Sequence, residues 1–351
     1  MSVYLPSMVL QKGLGLGRVI LLTWLVSKTE MGFWGLAVMA FTVAAPLVTL
    51  GANHALSRYV SVYEARGQLL EFYRRVRTWV IWLAVVLTGL ALALSPWLVR
   101  ALLAFKQAVR GGPVTLNPYQ WYMALVTIGT VGAMGLYLCM LSFAYGLRVY
   151  RLTSVVEIVY SVVFTALAIV WASATPGALS ILLAHLVSLG ATLALGGVLL
   201  DIGVRRLARN GTGEREAAPL EDDVEPVADA DDVGMAIPIH ATEPNPPAEP
   251  VAAGLKRFVR FGLMTMLGAM IWQATGFVSY FMVYVWFDGR TAGPLAVFLR
   301  LSQPVAFIAG AAWAILFTHV ARRWEDGDRD GAMFVLETAY KALSLAVMTF
   351  S

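Results

Sequence analysis

The chain is 351 residues long, 59% hydrophobic and 14% charged, with 11 Trp and a mean hydropathy of +0.70, a balance that excludes a soluble globular domain. Its net charge of +4 and pI near 9.2 do not indicate nucleic acid, because the basic residues form short clusters between apolar runs, as in the cytoplasmic loops of membrane proteins. The single cysteine, Cys139, cannot form an intrachain disulfide and reads as a packing residue, and the N-terminus shows no removable signal peptide.

Apolar runs of membrane-spanning length lie near 4–26, 33–54, 78–103, 119–144, 153–173, 178–203, 256–286 and 293–319, and a ninth begins near 333. The first run carries Lys12 and Arg18 inside VLQKGLGLGRVILL. Its glycines do not have nucleotide-loop spacing, whereas Gly13 and Gly17 form a small-x-x-x-small pair that suits close helix approach. Arg18 falls about 21 Å into the span and Lys12 about 12 Å, and the two differ by about 120° around the helix axis. A cation at such depth costs roughly 2.5 to 3.5 kcal/mol on insertion scales, so Arg18 is expected to face a water-filled cavity or a partner. Lys12 fits either a cavity or snorkelling to the headgroups.

Arg58 closes the second run after GANHALS and reads either as a guard of the cytoplasmic mouth or as an orientation anchor. Glu157, in the fifth run, either holds a coupling proton or cation or pairs with Arg148 or Arg151. His185 in the sixth reads as a hydrogen-bonded packing residue. Arg260 enters the seventh run and Arg300 lies inside the eighth. With Arg18 they suggest a basic chamber between two lobes, although snorkelling also accounts for Arg260.

Lys and Arg alternate between the two sides of these runs with a bias of roughly three to one. The N-terminus and the loops with Arg74, Arg75, Arg77, Arg205 and Arg206 are therefore expected in the cytoplasm, and loops 27–32 and 104–118 outside. Residues 204–254 hold 7 of the 15 prolines and half of the acidic residues, in runs such as EDDVEPVADADD, and read as a disordered, solvated cytoplasmic connector. The expected organisation is an N-terminal lobe of six spans over 1–203, the connector over 204–254 and an incomplete second lobe over 255–351. The sequence ends inside the ninth run, from which a piece of a longer product is expected, with a degenerate or obligately partnered form as the alternative.

Two stretches carry a family resemblance. WLVSKTEMGFWGLAVMAFTVAAPLVTLGANHALSRYVSVYEARG and AGPLAVFLRLSQPVAFIAGAAWAILFTHVARRWEDGDRDG resemble polysaccharide-exporting flippases, the oligosaccharide flippase (Wzx-type, PST) branch of the multidrug/oligosaccharidyl-lipid/polysaccharide (MATE-like, MOP) exporter superfamily. The resemblance implies an all-α, polytopic, two-lobed helical bundle in the bacterial cytoplasmic membrane. Its implied work is alternating-access transfer of an undecaprenyl-diphosphate-linked oligosaccharide (an O-antigen, capsule or exopolysaccharide unit) to the outer leaflet, without a cofactor or metal. On that reading Arg18, Arg260 and Arg300, with Lys12 and Arg58 nearby, contact diphosphate or sugar acids. The implied partners are the lipid carrier, membrane lipid, and the polysaccharide polymerase and glycosyltransferases of glycan assembly.

Three rivals stand beside this reading. A MATE-like cation-coupled drug or metabolite antiporter shares the lobes but calls for cavity carboxylates, which the intramembrane arginines here outnumber. A membrane enzyme of glycan assembly calls for a large external loop or an acidic metal cluster, and the external loops are short. A non-transporting membrane fragment is the third.

Overall fold

The computed structural model describes residues 4–65, 67–110, 117–147, 149–216, 251–301, 320 and 328–350. All secondary structure among them is helical: α1 (Tyr4–Leu25), α2 (Lys28–Val48), α3 (Ala52–Ala65), α4 (Leu69–Arg110), α5 (Pro118–Gly146), α6 (Tyr150–Ala174), α7 (Ala178–Glu216), α8 (Val251–Trp286), α9 (Gly289–Leu301) and α10 (Arg329–Phe350). Six of these, α2 and α4 to α8, are long and apolar enough to cross a membrane. The protein is therefore a multi-pass membrane protein. Helix α1 has 22 residues but falls outside that set, and it carries Lys12 and Arg18.

The chain divides into two compact units, Met1–Ala296 and Val297–Ser351. In the first unit α5 is the hub, packing against α2, α3, α4 and α7, while α7 also packs along α6 and α6 along α1. Helix α8 packs on α2, α3 and α4. In the second unit, described mainly through α10, the Asp328 carboxylate caps the helix by accepting from the Gly331 amide at 2.9 Å.

Local sequence explains where the helices start. Ser27 is the N-cap of α2, its hydroxyl accepting from the Glu30 amide at 3.3 Å. Asn117 caps α5 in the same way, accepting from the Tyr119 amide at 3.1 Å, with Pro118 in the first turn where its missing N–H is harmless. Helix α2 ends in a Schellman-like turn, with the Gly51 amide donating to the Pro46 carbonyl at 2.9 Å. Gly51 has φ of +73°, and a Cβ there would also collide with the Gly262 carbonyl of α8, so only glycine fits.

That turn corrects the sequence reading of one span over 33–54. The apolar run breaks at Leu50 and Gly51, and the chain continues as α3, a short amphipathic helix whose buried face bears Ala52, Ala55, Leu56, Val60 and Tyr63. Tyr63 stacks on Phe72 of α4 at 4.2 Å, and Tyr59 meets Phe258 of α8 edge to face at 5.6 Å. Such ring pairs add roughly 0.5 to 1.5 kcal/mol each beyond area burial, which fixes α3 against α4 and α8.

Three further boundaries differ from expectation. The two loops expected outside are shorter: α2 starts at Lys28 and α4 runs to Arg110, leaving only 111–116 of the 104–118 loop outside the described residues. Helix α7 continues to Glu216, so the first part of the 204–254 connector is helical; Arg205 at its start is tied back to Asp201 at 2.7 Å, and 217–250 lie outside the described residues. The compact unit also runs past 254, because α8 has its packing partners on α2, α3 and α4. Residues 302–319, most of the expected eighth span, and the cations Arg66, Arg322 and Arg323 lie outside the described residues.

Candidate functional site

One cluster of polar groups in the first unit lies where α1 packs along α6. On α6, residues Glu157, Tyr160, Ser161, Phe164 and Thr165 recur at intervals of three and four and so share one face. Helix α1 presents Lys12 and Arg18 beside that face. Tyr137 and Tyr145 of α5 and His185 of α7 complete it from behind.

Arg18 is the centre of this seam. Its Nη1 donates to the Thr165 hydroxyl at 3.2 Å, and its guanidinium lies over the Phe164 ring, 4.0 Å from the centroid. Its Nε is enclosed and has no hydrogen-bond partner among the described residues. No described carboxylate lies within ion-pair distance of it. A hydroxyl and an aromatic face hold the guanidinium in place without neutralising it. The result is a fixed, half-buried positive charge with donor capacity to spare.

The next layer is Glu157, whose Oε1 accepts from the Tyr145 hydroxyl at 3.1 Å and which interacts electrostatically with Lys12. The sequence reading offered Arg148 or Arg151 as its partner. The structure instead turns Arg151 to the exposed surface, and Arg148 lies outside the described residues. The reason is geometric: six positions beyond Arg151, Glu157 faces α1 and α5 instead of the helix start. His185, as expected, is a packed and hydrogen-bonded residue, with Nε2 2.8 Å from the Tyr160 hydroxyl and its ring against Phe41 and Phe164.

The other predicted cations are dispersed. Lys12 is exposed on α1, consistent with its angular offset from Arg18. Arg58 is exposed on α3, not at the end of a span, and lies over the Phe261 ring of α8 at 4.9 Å. Arg260 is exposed on α8 and lines, with Lys256, a groove along that helix. Helix α8 packs against α2, α3 and α4, whereas α1 packs against α6, so Arg18 and Arg260 stand on helices with different partners. Arg300 is half-buried in the last turn of α9, where a cation complements the helix dipole, and belongs to the second unit.

Gly13 and Gly17 do not serve the close helix contact expected of them, since a Cβ at either would meet open space. Helix α1 turns Val19 and Leu22 inward instead and leaves Trp24 exposed. Among the described residues, no group of three or more His, Cys, Asp or Glu side chains could hold a metal ion.

Sequence reasoning missed Tyr145, Tyr160, Phe164 and Thr165 as parts of the seam. The signal was present in the polar and aromatic repeat along α6, which reads as a second, non-lipid face of an otherwise apolar helix. No family model, curated protein or solved structure matches the chain. The exporter resemblance therefore stands on the two quoted stretches.

Proposed function

We propose that the protein is a flippase that moves an undecaprenyl-diphosphate-linked oligosaccharide across the bacterial cytoplasmic membrane by alternating access. The observation that carries this reading is Arg18: a guanidinium on the apolar helix α1, held by Thr165 and Phe164 with no neutralising carboxylate among the described residues. An unneutralised cation at bilayer depth is costly unless an anionic ligand visits it. A diphosphate fits, because the guanidinium fork donates to phosphate oxygens bidentately. Lys12, on the same helix, belongs to this proposal as a further contact; Arg58 and Arg260, on helices with other partners, and Arg300, in the second unit, enter it only through the family resemblance, as do the lipid carrier, polymerase and glycosyltransferases as partners.

The test is translocation of a fluorescent diphosphate-linked glycan in proteoliposomes. Arg18→Met should lower the rate by about tenfold or more, the equivalent of one lost charge-assisted contact, while Arg18→Lys retains part of it. Full activity in Arg18→Met would overturn the reading.

A second reading, a cation-coupled antiporter, is favoured by Glu157, a half-buried carboxylate bonded to a tyrosine. Glu157→Gln separates the two. Glycan transfer that survives this change supports the flippase, and loss of pH-driven or sodium-driven transport of a cationic dye supports the antiporter.

A further inference from the structure

Away from the α1–α6 seam, the first unit has a cavity of about 220 Å³ between α3, α4, α5 and α7. Its wall is almost wholly apolar, with Val80, Ile81, Leu136, Met140, Leu193 and Gly197 along its length. It is open on one side, and the helix surfaces flanking it are apolar and exposed: Trp82 and Val85 on α4, Val198 and Ile202 on α7. In a membrane protein such a surface faces lipid. From Leu193 to Leu200 the wall of α7 extends about 10 Å along the bundle.

One end of the crevice is charged. Arg77 of α4 lines it and donates to Asp201 Oδ1 of α7 at 3.1 Å, while Arg205 reaches Asp201 Oδ2 at 2.7 Å. Arg77 is also held by the Tyr73 hydroxyl at 3.5 Å. Two guanidiniums share one carboxylate, which leaves one positive charge uncompensated at the mouth. Both arginines remain largely exposed, so their other donors are available. Were the group only a pin between α4 and α7, side chains would fill the space beneath it. Instead a Cβ placed on Gly197, in the crevice wall, would meet nothing within 4 Å.

We propose that this crevice binds one membrane phospholipid with a singly anionic headgroup, its acyl chain between α4, α5 and α7 and its phosphodiester against Arg77 and Arg205. Charge complementarity selects the occupant. The single excess positive charge matches a phosphodiester with no ammonium of its own, while a zwitterionic headgroup brings a cation to the same mouth. The site is separate from the Arg18 seam and does not depend on the transport reading.

The experiment is native mass spectrometry of the purified full chain in micelles containing phosphatidylglycerol and phosphatidylethanolamine. The wild type should retain one phosphatidylglycerol in preference to phosphatidylethanolamine by about fivefold or more. Gly197→Leu should remove it at an unchanged melting temperature, because the new side chain enters empty space. Leu193→Trp fills the same crevice from another position and serves if the first variant folds poorly. The double change Arg77→Gln with Arg205→Gln should keep a bound lipid but erase the headgroup preference. Retention of phosphatidylglycerol by both crevice-filling variants would overturn the proposal. Displacement of the lipid by millimolar inorganic phosphate would also overturn it, since the site would then be a simple anion site to which the acyl chain contributes nothing.

Discussion

Arg18 shows how one residue can be costly and still be kept. Its hydrogen bond to Thr165 offers about 1 kcal/mol and its contact with Phe164 roughly 0.5 to 2 kcal/mol, against roughly 2.5 to 3.5 kcal/mol for placing the cation at depth. The residue is thus neutral to unfavourable for stability. Arg18→Met, which fills similar space without charge, should leave the melting temperature in detergent unchanged or raise it. A loss of more than about 2 kcal/mol would mark Arg18 as a structural tie instead of a ligand contact. The place of Arg18 within an apolar helical run was legible in the sequence, since α1 spans Tyr4–Leu25. Its partner was not, since Thr165 lies 147 positions away and the pairing depends on which face α6 turns to α1.

At the scale of elements, three helix starts are joined by Glu30. The Ser27-to-Glu30 spacing has the form of a capping box, and Ser27 does its part by accepting from the Glu30 amide. The Glu30 carboxylate, however, turns to accept from the Tyr119 hydroxyl at the start of α5 and from the Ala178 amide at the start of α7, the latter at 2.8 Å. A carboxylate at the N-terminus of α7 is also favoured by the helix dipole. Glu30→Ala should therefore cost about 2 to 3 kcal/mol in thermal unfolding, because it strands two donors at once. Tyr119→Phe added to it should cost less than in the wild type, a non-additivity that a double-mutant cycle reads directly. The sequence reading placed the starts of the α2 and α5 spans at 33 and 119 and did not find this joint, whose partners lie 89 and 148 positions from Glu30. It also merged α2 with α3, because hydropathy averages across the three-residue turn 49–51, where positive φ at Leu50 and Gly51 breaks the helix.

For the whole molecule, helix packing and charge pattern divide the first unit at the same two ends. The Glu30 joint places the starts of α2, α5 and α7 at one end of the bundle. The Arg77 to Asp201 pair and the Tyr59 to Phe258 contact place the start of α4, the C-terminal part of α7, α3 and the start of α8 at the other. The exposed cations Arg58, Arg74, Arg75, Arg77, Arg205, Arg206 and Arg257 belong to that second end, and among the described residues the first has fewer, Lys28, Arg100 and Arg290. Clustering of Lys and Arg on one side is what orients multi-pass proteins, so the second end is expected in the cytoplasm. Cysteine labelling can test this without engineering a new background, because the one native thiol, Cys139, is buried in the core of α3, α4 and α5. In intact cells an impermeant maleimide should label Pro176→Cys, in the turn between α6 and α7, and should reach Arg206→Cys only after the membrane is opened. The reverse pattern would invert the orientation. It would also place the Arg77 and Arg205 mouth of the lipid crevice in the outer leaflet, so the same two variants decide which leaflet supplies the bound phospholipid.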